Sequence, residues 1–177
     1  FHLTPGKVPP KILFLSAGSG VTPLMSMSRW LCDLSADVDV RFFNSVRSPD
    51  DIIFGKELEM MTHRYGLFSP INVSSSRATG HHAWSGMTGR ISVKMLELCA
   101  PDLHDRHVYM CGPQGFMDAA RDLLAEMKFD LANLHSESFG GLRTSTANKE
   151  GPGAVSAPGE AAAGDIDVQF AKAGKTA

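Results

Sequence analysis

The sequence contains few cysteines, and their spacing suits neither a metal site nor a disulfide framework. Cys32, Cys99 and Cys111 are the three cysteines among 177 residues. They lie far apart and form no CxxC pair and no zinc-type spacing. Free, scattered cysteines are typical of a reducing compartment, so we expect a cytoplasmic protein without a metal site.

Long hydrophobic runs and a strong excess of one charge are also missing. No apolar run approaches the roughly 18 residues of a membrane span, and no charged-then-apolar signal segment stands at the start. The net charge of −2 gives no electrostatic basis for binding DNA, RNA or an anionic membrane. We therefore expect neither nucleic acid nor a membrane as a partner.

The remaining composition, 43% hydrophobic and 20% charged, is typical of a globular chain. Residues 12–15 are apolar without alternation, as in a strand that is buried on both faces. Such patterns predict strands at 12–15, 38–44, 68–73, 108–111 and 134–137, and helices at 23–34, 54–63, 92–98 and 113–127. Strands alternating with helices indicate an α/β fold, an open five-stranded parallel sheet with helices on both faces.

The two ends of the chain differ in composition from its centre. Residues 1–10 (FHLTPGKVPP) are typical of a strand end followed by a connector. Residues 143–164 consist largely of Ala, Gly, Pro, Ser and Thr, which predicts a flexible linker. Residues 165–170 (DIDVQF) alternate polar and apolar, as a half-buried strand does. We expect a fragment of a longer polypeptide, with one domain over 11–142 and the truncated start of another over 165–177.

A glycine-rich turn, GSGVTP at residues 18–23, follows the first predicted strand. Thr22 is a good helix N-cap and Pro23 a good first helical residue. A turn of this kind presents free N–H groups and the positive end of a helix dipole, which suits a pyrophosphate. The alternative to a binding site is a tight strand-to-helix turn without a ligand. It stays open because the motif is GxGxxP and not the GxGxxG of the common dinucleotide fingerprint.

A second turn, Cys111-Gly112-Pro113, follows the fourth predicted strand. Two such turns on strands from different halves of an open sheet lie side by side at a topological switch point, where ligands bind. Cys111 would then stand at the carboxyl end of its strand. The alternative for Cys111 is a small buried apolar residue, as most free cysteines are.

A third segment, HSESFG at residues 135–140, would bring Glu137 and Phe139 to the same edge of the sheet. The alternative is an exposed carboxylate and a core aromatic. His81 and His82 lie in a loop rich in Gly and Ser and are interpreted as polar loop residues, not metal ligands. The GKT at residues 174–176 lacks the preceding glycine of a phosphate loop, which argues against an ATPase.

Together these segments resemble the nucleotide-binding half of the ferredoxin–NADP reductase superfamily. The resemblance rests on AGSGVTPLMSM, SVRSPDDIIFGKEL, YMCGPQGFMDAARDLL and HSESFG, in that order, and covers residues 1–141. It is nearest to the reductase components of Rieske-type oxygenases and to the reductase of hybrid-cluster protein. Those enzymes join a flavin-binding barrel, a nucleotide domain and a [2Fe–2S] ferredoxin domain. The resemblance implies that residues 1–10 end the barrel and that residues 165–177 begin the ferredoxin domain.

The function implied by the resemblance is that of an NAD(P)H-dependent flavin oxidoreductase. Hydride would pass from NADH or NADPH to FAD, and single electrons to a [2Fe–2S] centre and an acceptor protein, either an oxygenase or hybrid-cluster protein. A flavin is needed because hydride carries two electrons and an iron–sulfur centre accepts one. The family's Arg-x-Tyr-Ser/Thr flavin box and C-x4-C-x2-C cluster loop do not occur in the sequence. We therefore expect this chain alone to hold neither group and to be inactive.

The resemblance also implies the roles of individual residues. The pyrophosphate would be held at the first glycine turn, the adenosine ribose beside the end of the second strand, the nicotinamide beside the Cys-Gly-Pro turn, and the flavin beside the fifth strand. The nucleotide-binding residues so implied are Gly18, Ser19, Gly20, Val21, Thr22, Pro23, Asn44, Ser45, Arg47, Cys111, Gly112, Pro113, Gln114, Met117, Glu137 and Phe139. Catalytic roles fall to Cys111, Thr22 and Glu137, with Cys111 near the nicotinamide C4 as a positioning group.

NADH is favoured over NADPH by the charges that follow the second strand. A 2′-phosphate needs two or more cationic or hydroxyl partners. Arg47 supplies one cation, whereas Asp50 and Asp51 would repel a dianion. The alternative function is a non-catalytic nucleotide-binding or docking module. A short-chain dehydrogenase is excluded, because neither Tyr65 nor Tyr109 is followed by the Tyr-x-x-x-Lys lysine.

Overall fold

A parallel sheet of six strands organises the chain. The computed structural model describes residues 1–76 and 84–138. The strands are β1 (Lys11–Ala17), β2 (Asp39–Val46), β3 (Phe68–Ser74), β4 (Met87–Thr88), β5 (His107–Cys111) and β6 (Leu134–Glu137). The helices are α1 (Val21–Asp33), α2 (Gly55–Arg64), α3 (Val93–Cys99) and α4 (Gln114–Glu126).

The strand order is β4-β3-β2-β1-β5-β6, and each neighbouring pair is parallel. The chain begins at β1, extends the sheet through β2, β3 and β4 on one side, and then returns to β5 and β6 on the other. This reversal makes the carboxyl ends of β1 and β5 the topological switch point, where open α/β sheets bind their ligands.

The predicted α/β class is confirmed, but the predicted number of five strands was wrong. The additional strand, β4, contains only Met87 and Thr88, which pair with Val73 and Ser74 of β3. Two residues are too few to show a period of two, so the sequence pattern could not reveal this strand. The other strands begin and end within a few residues of the predicted bounds.

Both faces of the sheet are buried, as the unbroken apolar run of β1 predicts. Ile12 and Phe14 point into one core, packed against α1 and α2, with Leu24, Met25, Leu31, Leu58 and Met61. Leu13 and Leu15 point into the other, packed against α3 and α4, with Leu96, Cys99, Met117, Ala120 and Leu124. Successive strand residues face opposite sides, and full burial of each large side chain contributes about 1.5–3 kcal/mol.

A buried arginine ties three strands together at their amino ends. Arg106 is 1% exposed and donates two hydrogen bonds to the Asp102 carboxylate, at 2.7 and 3.1 Å. It also donates to Asp39 Oδ2 at 2.6 Å and to the carbonyl oxygens of Ile12 and Asp39, both at 3.1 Å. Lys11 Nζ completes the network, 2.8 Å from Asp102. The network lies at the opposite end of the strands from the switch point.

Several sequence-based predictions fall outside the described residues. These are Phe139, the histidines at 81 and 82, the linker at 143–164 and the strand at 165–170. In the ranges 1–76 and 84–138, no helix is both long enough and apolar enough to cross a membrane.

Candidate nucleotide-binding site

The two glycine turns predicted from the sequence touch one another at the switch point. Ser16 of β1 is paired with Cys111 of β5. A Cβ added at Gly20 would overlap the carbonyl group of Cys111 and would lie 2.6 Å from the amide nitrogen of Gly112. A Cβ on Gly112 would likewise lie 3.2 Å from Ala17 Cβ and N. The close approach of the two turns therefore depends on both glycines.

Gly18 is required for a different reason. Its φ is +54°, in the left-handed region that L residues other than glycine seldom adopt. Nothing lies within 4 Å of the position that a Cβ would occupy. The turn therefore presents bare backbone to open space, where a ligand can approach closely.

Two helices start beside these turns without a side-chain cap. The sequence predicts Thr22 as the N-cap of α1, and this is wrong. A 3-10 turn over Gly18–Gly20 leads directly into α1 at Val21, and Thr22 lies within the first turn, exposed. Helix α4 also begins without a side-chain cap, after Pro113. Both ends keep the positive end of the helix dipole, which favours an anion.

A groove of about 920 Å³ runs from these turns along the carboxyl edge of the sheet. This volume is within the usual range for cofactor sites. The groove has apolar walls with a small number of charged side chains. Its lining residues are Ala17, Gly18, Ser45, Val46, Arg47, Asp50, Asp51, Ile52, Ile53, Ser75, Arg90, Ile91, Pro113, Gly115, Phe116 and Ala119.

The charged side chains of the groove come mainly from the loop after β2. Arg47 and Asp50 are exposed, and their side chains make no hydrogen bond or ion pair with any other described residue. Asp51 is held differently, because its Oδ2 accepts hydrogen bonds from Ser48 N and Ser48 Oγ, both at 3.0 Å. Arg90, after β4, adds a second exposed arginine. The groove thus offers two cations and two carboxylates.

Several residues that were predicted to bind the nucleotide have side chains that are buried or hydrogen-bonded elsewhere and do not reach the groove. Asn44 is 1% exposed. Its Oδ1 accepts from Ser16 Oγ at 2.9 Å, and its Nδ2 donates to Asn72 Oδ1 at 2.9 Å. This ladder joins β1, β2 and β3, so the assignment of Asn44 to the ribose is corrected to a structural role.

The predicted binding roles of Val21 and Met117 are also corrected to structural roles. Both are core residues, with 1% and 5% of their surface exposed. They belong to the two opposite cores. The amide of Gln114 donates to Asp118 Oδ1 at 2.7 Å, along the surface of α4. Ser19 is exposed and Pro23 half-buried, and neither lines the groove. Of the predicted set, Gly18, Ser45, Arg47 and Pro113 line it.

Cys111 is fully buried at the carboxyl end of β5. Burial, with a smaller contribution from the charge of Glu137, raises the pKa of its thiol to about 11. The thiol is therefore neutral at physiological pH and cannot act as a nucleophile or base. Glu137 is exposed and pairs with Cys111 across β5 and β6, so both stand at the edge that was predicted for them.

The groove residues that were not predicted from the sequence are mostly apolar. Ile91 follows β4, and Phe116 lies one helical position after Gly115 in the first turn of α4. The sequence did hold a signal for Phe116, because it lies in the first turn of the helix that follows the predicted Cys111-Gly112-Pro113 turn, and helical side chains lean towards the amino end of their helix. Arg90 had none, since its position depends on the short strand β4.

No group of three or more His, Cys, Asp or Glu side chains within 1–76 and 84–138 is arranged to hold a metal ion. The histidine pair His107 and His135 is stacked, with Nδ1 of the first 3.3 Å from Nε2 of the second. It lies beside Tyr109, away from the residues that line the groove.

Comparison with known proteins agrees with this geometry. Residues 14–122 match the family model described as oxidoreductase NAD-binding domain. The chain is 45% identical over 130 residues to the glycine betaine monooxygenase reductase subunit of Pseudomonas aeruginosa, covering 73% of this chain and 35% of that protein. It is 38% identical over 170 residues to the subunit of the same name from Chromohalobacter salexigens, covering 94% and 46%. The chain thus spans less than half the length of either relative.

Among solved structures, phthalate dioxygenase reductase aligns with a TM-score of 0.54 and 25% identity. The alignment covers 78% of this chain and 38% of that one. That protein is described as a modular structure for electron transfer from pyridine nucleotides to [2Fe–2S]. The predicted resemblance to the ferredoxin–NADP reductase type of nucleotide domain is confirmed.

Proposed function

Because this chain belongs to the oxidoreductase NAD-binding domain family, we propose that it binds the nicotinamide dinucleotide of a flavin-dependent electron-transfer enzyme. The observation that carries the proposal is the contact between the Gly18–Gly20 turn and the Cys111-Gly112 turn at the head of one groove. A single tight turn would serve the fold alone. Two glycine turns in backbone contact, beside two uncapped helices, are suited to an extended, doubly charged ligand.

The pyrophosphate is proposed to lie over Gly18 and Ser19, at the start of α1. The left-handed φ of Gly18 exposes backbone without a side chain, and oriented N–H groups and the helix dipole stabilise the negative charge. This arrangement needs no cation next to the phosphates. It therefore leaves Arg47 and Arg90 to act elsewhere along the groove.

The adenosine is proposed to occupy the part of the groove formed by Ser45, Arg47 and the apolar side chains near them. Ile52, Ile91 and Phe116 offer apolar surface for a purine. We infer that NADH is preferred over NADPH, because Asp50 and Asp51 offset the charges of Arg47 and Arg90 in the groove. A 2′-phosphate would bring close to two negative charges towards those carboxylates.

The nicotinamide is proposed to lie against Gly112 and Pro113, with Thr22 on its other side. Cys111, which precedes this turn, acts as a positioning residue: it packs beneath the turn and makes no proton transfer, since its thiol is buried and neutral. Glu137 stands at the same edge of the sheet and is proposed, with Phe139, to face the flavin. Hydride transfer depends on the geometry of donor and acceptor more than on proton transfer, so none of these residues needs to act as a general base.

A bound flavin would supply the step from two-electron to one-electron chemistry. The part played by this chain is to bind the dinucleotide, orient its nicotinamide and present it at the carboxyl edge of β1 and β5. A [2Fe–2S] cluster needs four cysteine ligands, whereas Cys32, Cys99 and Cys111 are each buried within the described fold. The described residues therefore do not fit a cluster, and we derive no step through one.

The similar reductase subunits suggest the setting of this function. Two of them are named as reductase subunits of glycine betaine monooxygenase. We propose that the whole protein contains a flavin-binding barrel and a ferredoxin domain, and that its electron acceptor is an oxygenase component or hybrid-cluster protein. Its activity would be that of an NAD(P)H-dependent flavin oxidoreductase.

The proposal is tested in two steps. Calorimetric titration of this chain with NADH should show saturable binding, which Gly18→Val should weaken at least ten-fold by placing a side chain over the phosphate position. In the whole protein, rapid mixing with NADH should then reduce the flavin. Absence of NADH binding by the wild-type chain would refute the proposal. Binding without flavin reduction would identify a non-catalytic nucleotide-binding module instead.

A further inference from the structure

Four donor groups from three serines lie within hydrogen-bond distance of the carbonyl oxygen of Arg47. Ser76 donates to it from its backbone N–H at 2.9 Å and from its hydroxyl at 2.7 Å. The hydroxyls of Ser75 and Ser74 approach it at 3.3 and 3.1 Å. A carbonyl oxygen has two lone pairs, and the two shortest of these contacts, which fill them, both come from Ser76.

The buried member of this group, Ser74, serves mainly to fix the other two. Its hydroxyl lies 2.6 Å from the carbonyl oxygen of Ser76, and a hydroxyl donates one proton at a time. The shorter contact therefore orders the Ser74–Ser76 turn. Ser75 N–H donates to the carbonyl of Val46 at 2.8 Å, which attaches the same turn to the end of β2.

The loop that begins at Arg47 is held from its other side as well. Ser48 donates two hydrogen bonds to the Asp51 carboxylate, and Pro49 removes one backbone rotation from the segment. Residues from this loop form one wall of the groove. Hydrogen bonds at both ends thus fix a loop whose arginine is itself exposed and forms no ion pair with any described residue.

We propose that Ser76 is a positioning residue for dinucleotide binding, acting through Arg47. This inference rests on the proposed function. Ser76 is exposed and does not line the groove, so its hydroxyl contributes little to the core and has no direct route to the ligand. What it does is hold the Arg47 backbone, so that dinucleotide binding has to order only the Arg47 side chain and not the loop that carries it.

The test is a double-mutant cycle on NADH affinity, measured by calorimetric titration of the chain. Ser76→Ala should weaken NADH binding by roughly three- to ten-fold, the effect of one lost hydrogen bond. In an Arg47→Met background, the same substitution should change affinity less than two-fold, because the group that it positions is gone. Ser76→Thr keeps the hydroxyl and should restore binding.

The matched control is Ser26→Ala, which removes an exposed hydroxyl from α1, away from the groove, and should leave affinity unchanged. Thermal unfolding of every variant should stay near that of the wild type, which separates positioning from loss of fold. Equal losses in both backgrounds, or no loss in either, would overturn the inference while leaving the proposed function in place. Failure of the wild-type chain to bind NADH would overturn both.

Discussion

At the scale of single residues, two glycines of one turn have separate physical reasons to be glycine. Gly20 is required by the backbone of Cys111 and Gly112, which leaves no room for a Cβ, and Gly18 by its positive φ. The sequence shows both as members of one motif. The difference in their roles appears only in the fold.

Alanine substitution should separate these roles. Gly20→Ala forces β1 and β5 apart at the switch point and should lower the free energy of unfolding by about 2–3 kcal/mol. Gly18→Ala should cost about 1 kcal/mol through its backbone conformation. Urea denaturation of both variants checks this order. Gly66→Ala, at a position with no atom near the added Cβ and an ordinary φ, is the control, and equal losses for Gly18 and Gly20 would contradict the assignment.

The buried thiols should make the protein less stable in alkali. Burial raises the pKa of both Cys99 and Cys111 from an unfolded value near 9 to about 11. The unfolded chain loses these protons first, so the stabilisation is complete below pH 9 and is lost as the pH rises towards 11. We expect up to about 2 kcal/mol for each thiol. Urea titrations at pH 8 and 10.5 test this, and Cys99→Ala should flatten the difference.

Cys111 also has a predicted effect on hydride transfer. If it supports the nicotinamide, Cys111→Ala in the whole flavin-containing protein should slow flavin reduction about ten-fold, about 1.4 kcal/mol in barrier, with a smaller change in NADH affinity. Stopped-flow reduction at saturating NADH measures the rate. An unchanged rate would show that Cys111 serves only to pack the end of β5.

At the scale of elements, the loop after β2 controls the charge of one groove wall. Two exposed arginines and two carboxylates line the groove. Asp51 also accepts hydrogen bonds from Ser48, so it has a structural task that Asp50 lacks. In the proposed binding mode, selectivity between NADH and NADPH depends on the balance of these arginines and carboxylates near the ribose.

Replacing both carboxylates should shift this balance. The variant Asp50→Ser/Asp51→Lys should narrow or reverse the NADH preference in kcat/KM, chiefly by improving NADPH, because like charges near a 2′-phosphate are removed. Asp50→Ser alone keeps the Ser48–Asp51 hydrogen bonds and separates charge from loop geometry. Glu126→Ser, at the end of α4, makes the same change in charge as Asp50→Ser and is the control for that single variant. A wild-type preference for NADPH would show that Arg47 and Arg90 dominate.

At the scale of the whole molecule, the buried Arg106 network and the proposed dinucleotide groove lie at opposite ends of the same strands. The Arg106 network ties the amino ends of β1, β2 and β5, and the groove lies at their carboxyl ends. Substitutions in the Arg106 network should therefore change stability and leave dinucleotide binding in the groove largely intact.

Substitution of Arg106 tests this separation. Arg106→Met removes the buried donor shared by the Asp39 and Asp102 carboxylates and the carbonyl oxygens of Ile12 and Asp39, and should destabilise the chain by about 3–5 kcal/mol. Lys11→Ala, which removes an exposed partner of Asp102, should have little effect. Thermal unfolding measures both. Below the unfolding transition, NADH affinity should be unchanged in each, and a large loss of affinity would contradict the separation.

The same network predicts how the chain responds to acid. Although burial acts to raise it, hydrogen bonds from Arg106 and Lys11 lower the pKa of Asp102 to about 2. The stabilisation is present above the ordinary pKa near 3.8 and is lost as the pH falls towards 2. Urea midpoints between pH 5 and 2.5 should fall more steeply for the wild type than for Asp102→Asn.

The local pattern of the sequence was enough to predict the class of fold and the meeting of the two glycine turns at the switch point. Buried strands, amphipathic helices and glycine turns are encoded by neighbouring residues, and parallel strands joined by helices leave few topologies. The two turns were therefore expected at one switch point, where Gly20 meets Cys111.

Only the tertiary structure decided which side chains reach the groove. Asn44 and Arg47 are three residues apart, yet Asn44 is buried in the ladder between β1 and β3 while Arg47 is exposed in the loop. Arg90 reaches the same groove through β4, a strand too short to show a period. Burial and long-range pairing depend on residues distant in the chain, and no local spacing records them.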